Sequence, residues 1–384
     1  MDLPPFALDH WLSAYDFATP PIAYNLASST GPRWSVAEIC ALGDTPLAID
    51  DTVLSYAPPE GSAALRAAIA AFHDSEADRV VVTTGSSEAL SIFFCLAARP
   101  GAYVLMPDPG YPAYAAVAQA WGLGTRPYAL TRETGFAQDV DAILALVDGD
   151  TAGVVVNTPH NPSGSVMPRT EIARLAAALA ERGVPLLVDE VYHPLYFGAP
   201  QQSAAGIRNA YVTSDMSKAL SLPGLRMGWI IAPDDAQRAR IIDARSYFTI
   251  SSSPLLERLA THALEHSVAI TDRLKAVATV NIAVLDQLIA GAEGRLQWVR
   301  PLGGTTAFPG WVTGATAGRC ARRWRRRACC WRRVTASANR RISGWASRSR
   351  PKASRSRWSG SRLPSPYFSS GRTSPSSGGT GRAR

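Results

Sequence analysis

Only three lysines occur in the 384 residues, Lys218, Lys275 and Lys352, and the first stands where covalent chemistry is possible. Ser217-Lys218 lies in a polar loop, followed by Leu222-Pro223-Gly224-Leu225-Arg226-Met227-Gly228-Trp229. A lysine amine forms a Schiff base with a carbonyl when a desolvated, cation-rich setting lowers its pKa. Arg226, eight residues on, offers a planar fork that can clamp a phosphate. Asp189, in Asp189-Glu190-Val191-Tyr192, follows the apolar run Pro185-Leu186-Leu187-Val188 and so projects from a strand end. A carboxylate buried there is costly unless paired, and a pyridinium-type ring nitrogen is a cation that would pair it. Tyr192 could donate to a phenolate oxygen on the same ring. Each segment also has an ordinary reading: a surface lysine with a structural arginine, or a helix-capping or surface acid.

Three further segments have polar or aromatic residues at places where an apolar run stops. Thr84-Gly85-Ser86-Ser87-Glu88 opens a helix after a strand, so its backbone N–H groups and helix dipole make an anion site. Pro109-Gly110-Tyr111 places an aromatic ring near the same edge, for packing or for stacking. Asn157-Thr158-Pro159-His160-Asn161-Pro162-Ser163-Gly164 is rich in turn formers and reads by itself as a loop.

The elements that must position these residues alternate between about Val80 and Ile231. Apolar runs at 79–83, 103–106, 153–157 and 185–189 are separated by helical stretches, including 88–96 and Arg169 to Arg182. Continuous apolar strands divided by helices predict an α/β fold, a mostly parallel sheet sandwiched by helices. Ligands in such sheets lie at the carboxyl ends of the strands, where all the segments above fall. Residues 255–292 read as one long helical stretch leading into a smaller α+β domain, with Gly303-Gly304-Thr305-Thr306-Ala307-Phe308-Pro309 as the start of a strand.

Taken in order, the anion loop, aromatic, Asn-Pro-x-Gly, Asp-x-x-Tyr, Ser-Lys and Arg resemble the fold-type I pyridoxal-phosphate enzymes, the class I/II aminotransferases in particular, over residues 20–310. The resemblance implies a Schiff base between pyridoxal 5'-phosphate and Lys218, which then moves a substrate proton. It implies Asp189 on the ring nitrogen, Asn161 and Tyr192 on the ring oxygen, and Tyr111 stacked on the ring. Gly85, Ser86, Ser87, Ser217 and Arg226 would hold the phosphate. Tyr56, in Ser55-Tyr56-Ala57-Pro58-Pro59-Glu60-Gly61, would reach the partner subunit's phosphate in a homodimer. One residue departs from the pattern: Asp215 stands where the family usually has Ser or Thr facing the phosphate, so it either turns away or lowers affinity. Leu8-Asp9-His10-Trp11-Leu12, residues 245–258 and Thr306-Ala307-Phe308-Pro309 resemble the subgroup around capreomycidine synthase, which includes elimination and cyclisation as well as amino transfer. The implied substrates are a small α-amino acid and a 2-oxo acid.

Charge divides the chain in two. Residues 313–384 hold 19 of the 39 Lys and Arg and none of the 31 Asp and Glu, which leaves −11 on residues 1–312 and +19 on the tail. The acidic body does not recommend nucleic acid as a partner; the tail, with Trp324, Trp331, Trp345 and Trp358 among its arginines, offers a weaker reading as a nucleic-acid binder. Met1-Asp2-Leu3-Pro4-Pro5 begins no leader pattern, and no run of apolar residues is long enough to span a membrane, so a cytoplasmic protein is expected. Cys40 and Cys95 read as buried thiols, and Cys329-Cys330 has no metal-ligand spacing, so no metal is expected. The expected divisions are an N-terminal segment at 1–45, a cofactor-binding domain at 46–275, the start of a small domain at 276–312, and a disordered basic tail from 313.

The tail reads more coherently in another frame. With GC-rich codons and free wobble bases, reading Arg319 to Arg332 from each third base yields a Leu- and Ala-rich helix running into Gly-Val-Leu-Leu-Ala-Pro. Arg333 to Gly344 then yields Gly-Asp-Arg-Phe-Gly-Glu-Pro-Pro-His-Phe-Arg. Helix, strand, turn and carboxylate-binding arginine is the order that the resemblance implies for a small domain. A single insertion or deletion near residues 309–313 accounts for it, and the small domain of the printed chain is then truncated. Sequencing the gene across this stretch should reveal codons that give that helix and strand in the shifted frame; codons that cannot would rule the shift out.

Overall fold

The computed structural model describes residues 24–312, positions 6, 8, 10, 12, 13 and 17–21 before them, and the short strand Cys329–Cys330. The chain divides into a compact unit Met1–Ala336 and a second, Ser337–Arg384, which lies outside the described residues. The expected disordered tail, its nucleic-acid reading and the truncation of the small domain also lie outside them, apart from that strand.

Seven strands form the central sheet: β2 (Val80–Thr83), β3 (Tyr103–Asp108), β4 (Gly124–Ala129), β5 (Thr151–Asn157), β6 (Leu186–Asp189), β7 (Ala210–Asp215) and β8 (Gly228–Ile231). Their order is β2-β8-β7-β6-β5-β3-β4. β8 runs antiparallel to β2 and β7, and the other pairings are parallel. Strand β1 (Tyr24–Asn25) pairs with Cys329–Cys330 outside this sheet.

Alternation within the apolar runs assigns each strand's side chains to two cores. Val80, Val82, Leu105, Val154, Val156, Leu186, Val188 and Val212 pack on one face. There they meet Ile39 of α1 (Val36–Cys40), Leu65 and Ile69 of α2 (Ala63–His73), Ile143 of α5 (Val140–Leu144), Leu175 and Leu179 of α6 (Arg169–Ala180), and Leu259 and Ala263 of α8 (Pro254–Glu265). Val81, Val104, Val155, Leu187 and Ile230 face the opposite core. Their partners are Phe93 and Phe94 of α3 (Ser86–Ala97), Tyr114 and Ala118 of α4 (Ala113–Ala120), and Ile241 of α7 (Asp235–Arg245). Burial on both faces explains why these strands read as unbroken apolar runs. Asp108, Asn157, Asp189 and Asp215 stand at the carboxyl ends of their strands, along one edge of the sheet.

Three expectations need correction. The single helix over 255–292 is two, α8 and α9 (Ser267–Ala290). They part at His266, whose ring Nδ1 lies 2.8 Å from the His262 carbonyl and competes with the backbone ladder for it. Gly303–Pro309 begins no strand: Gly303 makes one isolated bridge to Tyr196, and β9 (Leu296–Gln297) pairs instead with β10 (Gly310–Trp311). The glycine is required there by close approach, because a Cβ on Gly303 would stand 2.7 Å from Pro159 and 2.8 Å from the Leu195 carbonyl. Cys40 and Cys95 are free but only half-buried.

Behind β6 lies a buried polar cluster that joins α2 to the strand end. Trp229 Nε1 donates to His73 Nε2 (3.0 Å), which leaves the proton on His73 Nδ1, facing Ser203 Oγ (2.9 Å) and Glu190 Oε2 (3.4 Å). Ser203 Oγ and the Ala204 N–H donate to the two Glu190 oxygens at 2.6 and 2.7 Å. Burial by itself would raise the Glu190 carboxyl; the His73 hydrogen bond, with the His193, His73 and Ser203 interactions, holds it below the ordinary value. Glu190→Ala leaves these donors unpaired in a closed interior. It should lower the unfolding free energy, measured by urea titration, by about 3 kcal/mol.

Candidate active site

Lys218 stands in the turn after β7, and that turn is pinned on both sides. Met216 N–H donates to the Met227 carbonyl (2.9 Å), and Leu222 N–H to the Met216 carbonyl (2.7 Å). Ala219 N–H reaches the Val191 carbonyl (3.2 Å), which ties the Lys218 turn to the Asp189 loop. Lys218 Nζ donates to Ser29 Oγ (2.8 Å), and the Ser29 carbonyl in turn accepts from Thr305 Oγ1 (2.7 Å). An early segment and a late one therefore meet at the lysine.

Asp189 ends β6 with 3% of its surface exposed. Oδ2 accepts from the Tyr114 hydroxyl at 2.5 Å, and Oδ1 from the Val191 N–H at 3.1 Å. Burial pushes the carboxyl up to about 6, against the Tyr114 and Val191 hydrogen bonds; the charge of Asp215 adds to the rise and that of Lys218 opposes it. The same contact, with burial first, drives the Tyr114 hydroxyl well above its ordinary value. A carboxylate held this far from water is one that a cationic ring nitrogen would stabilise.

Asn157, beside Asp189 in the β5–β6 register, organises the neighbouring loop. Its Nδ2 donates to the Asp189 carbonyl (2.9 Å), and its Oδ1 accepts the Asn161 N–H (2.6 Å). Asn161 and Tyr192 are both buried. Tyr111 meets Tyr114 edge-on, ring centroids 5.5 Å apart.

At the other end, Gly85 precedes α3 with φ +74°, a conformation glycine adopts without strain. A Cβ there would stand 2.5 Å from Arg226 Nη2, so the arginine lies directly over the helix start. Arg226 Nη1 donates to the Pro223 carbonyl (3.1 Å). Ser86 and Ser217 both hydrogen-bond to the Asp215 carboxylate, so that residue does not turn away. Ser87 is exposed, with no side-chain hydrogen bond among the described residues. Tyr56, 86% exposed, stands apart from these groups on a groove with Glu257, Arg258 and His262.

The geometry thus gathers Lys218, Asp189, Ser86, Ser217 and Arg226, with Gly85, Asn161, Tyr192 and Tyr111 on the same edge. Amine, buried carboxylate and helix-start donors fit a pyridine aldehyde carrying a phosphate. Sequence reasoning missed Tyr114, Ser29 and Asn157 as members. Tyr111-Pro112-Ala113-Tyr114 carried a signal, since aromatics three apart at a helix start share a face. Nothing near Ser29 in sequence points to Lys218.

The raised Asp189 value has a measurable consequence. In the cofactor-free protein the folded state keeps this proton between its ordinary value of 3.8 and about 6, while the unfolded chain has released it. Stability is therefore lost as pH rises through that window. Asp189→Asn should make the cofactor-free protein more stable than wild type at pH 7, by on the order of 2 kcal/mol, with the gap closing near pH 4 in pH-dependent melts.

Comparison with known proteins identifies the family of the chain. The family model for aminotransferase class I and II matches residues 25–312. Capreomycidine synthase of Streptomyces vinaceus is 35% identical over 314 residues, 80% of this chain and 79% of that protein. The valine–pyruvate aminotransferase of Mycobacterium tuberculosis is 35% identical over 270 residues, 67% of this chain and 68% of its own. Among solved structures, a PLP-dependent aminotransferase from Streptococcus suis superposes with a TM-score of 0.75 at 24% identity, covering 86% of this chain and 89% of that one, and speaks for the fold. The PLP-dependent cyclase OrfR gives a TM-score of 0.74 at 26% identity over 86% of this chain and 88% of its own. The chain belongs to the class I and II aminotransferases, enzymes whose cofactor is pyridoxal phosphate.

Proposed function

We propose that this enzyme moves an amino group between a small α-amino acid and a 2-oxo acid, with Lys218 as its catalytic residue. The observation that carries the reading is the convergence of Lys218, held by Ser29, and the buried carboxylate of Asp189, held by Tyr114, with the lysine's charge acting on that carboxyl. When bound, pyridoxal phosphate supplies an electron-withdrawing pyridine ring that accepts the electron pair left at a substrate carbon. Asp189 would keep a proton on the ring nitrogen, and Tyr114 fixes the orientation of that carboxylate. Asn161 and Tyr192 would hold the ring oxygen, and Tyr111 would cover the ring face. Ser86, Ser87, Ser217 and Arg226 would bind the phosphate and so anchor the group, leaving Lys218 Nζ to take the proton from the substrate Cα and deliver it to the cofactor's former aldehyde carbon, the exchange that moves the amino group.

The same reading has Tyr56 act across a homodimer. Its exposure, together with that of its chain neighbours Val53 and Leu54, is support for a partner subunit there. Among the described residues no helix is long and apolar enough to cross a membrane, which is compatible with a cytoplasmic enzyme.

A second reading is elimination or cyclisation by the same residues, favoured by the identity to capreomycidine synthase. The two differ in their need for an amino acceptor. Purified protein should absorb near the Schiff-base band, and Lys218→Ala should abolish that band and lower turnover by at least about a thousandfold. Keto-acid formation that requires an added 2-oxo acid establishes transfer. Ammonia release without one establishes elimination. A colourless wild type refutes both.

A further inference from the structure

The donors at the start of α3 are already engaged by an anion from the chain itself. Asp215 ends β7 with 6% of its surface exposed. Its Oδ2 accepts from the Ser86 N–H (3.3 Å) and Ser86 Oγ (3.0 Å), and its Oδ1 from the Ser217 N–H (2.8 Å). These are groups that a phosphate seated at this helix start would use. Arg226, over Gly85, forms no ion pair with Asp215 among the described residues, so the carboxylate is held by N–H and O–H donors and the helix dipole.

We propose that Asp215 is an internal anion that occupies the phosphate end of the site and competes with the cofactor's phosphate for Ser86 and Ser217. The inference rests on the reading that Lys218 and Asp189 hold pyridoxal phosphate. A phosphate dianion entering beside a carboxylate meets like-charge repulsion in a partly dehydrated pocket. It also has to take over N–H groups that already have a partner. Without cofactor, Asp215 keeps those N–H groups satisfied and the helix start in its binding shape. With cofactor, the carboxylate must give up donors, which reduces what the phosphate adds to affinity.

The test separates the phosphate's contribution from that of the ring. Cofactor-free wild type, Asp215→Ser and Asp215→Asn are titrated with pyridoxal phosphate and with pyridoxal, which lacks the phosphate, and binding is read from absorbance. The Asn variant keeps the side-chain shape and guards against loss of fold. The ratio of the two affinities should rise in both variants, on the order of tenfold to a hundredfold in favour of the phosphorylated compound. A ratio that stays the same or falls overturns the competition while leaving the cofactor reading in place. Failure of wild type to take up either compound overturns both.

Discussion

A carboxylate that cannot reach water governs the layout of this enzyme. Asp189 lies at the end of a strand buried on both faces, so its charge depends on what the neighbouring elements bring to it. Helix α4 brings the Tyr114 hydroxyl, the following turn brings the Val191 N–H, and the loop after β7 brings the charge of Lys218. Asn157 locks the Asp189 main chain from the next strand. Each contact comes from a different segment, so the carboxylate is placed only when the sheet is complete. The buried Glu190 cluster, one residue further on, braces the same strand end against α2.

The antiparallel strand β8 has a separate consequence. Because it runs against its neighbours, its beginning, not its end, lies beside the ends of β2 and β7. Gly228 is therefore paired with both Thr83 and Asp215, and Arg226, just before it, is delivered over Gly85 at the start of α3. One short loop, residues 215–219, then joins the two ends of the site. Asp215 binds Ser217, Lys218 follows, and Ala219 is bonded to the loop of Asp189. The charge of Asp215 is itself one of the influences on Asp189, so the two ends of the site are electrostatically coupled.

Much of this was legible in the sequence because the signals are local. Apolar runs ending in Asp or Asn marked β5, β6 and the strand-end position of Asp189, since a strand with both faces covered keeps its carboxylate and amide side chains to the end where it emerges. Gly85-Ser86 announced a helix start, and Ser217-Lys218 with Arg226 announced the loop. What was not legible depended on distant segments meeting. Tyr114, Ser29 and Thr305 carry no pattern that names their partners. The break at His266 has neither Pro nor Gly to announce it, and the glycine at 303 answers to crowding by Pro159 and Leu195 that only the folded chain creates.

The sequence by itself determined the mostly parallel character of the sheet, four of its seven strands and the chemical types at their ends, because periodicity and helix-start chemistry act over a few residues. The tertiary structure decided the electrostatics. Whether Asp189 is charged depends on burial and on hydroxyls from elsewhere in the chain. Whether Asp215 turns away from the phosphate end or fills it depends on donors more than a hundred residues apart, Ser86 and Ser217, converging on one carboxylate. Desolvation and hydrogen-bond convergence are properties of a closed interior, and no stretch of sequence carries them alone.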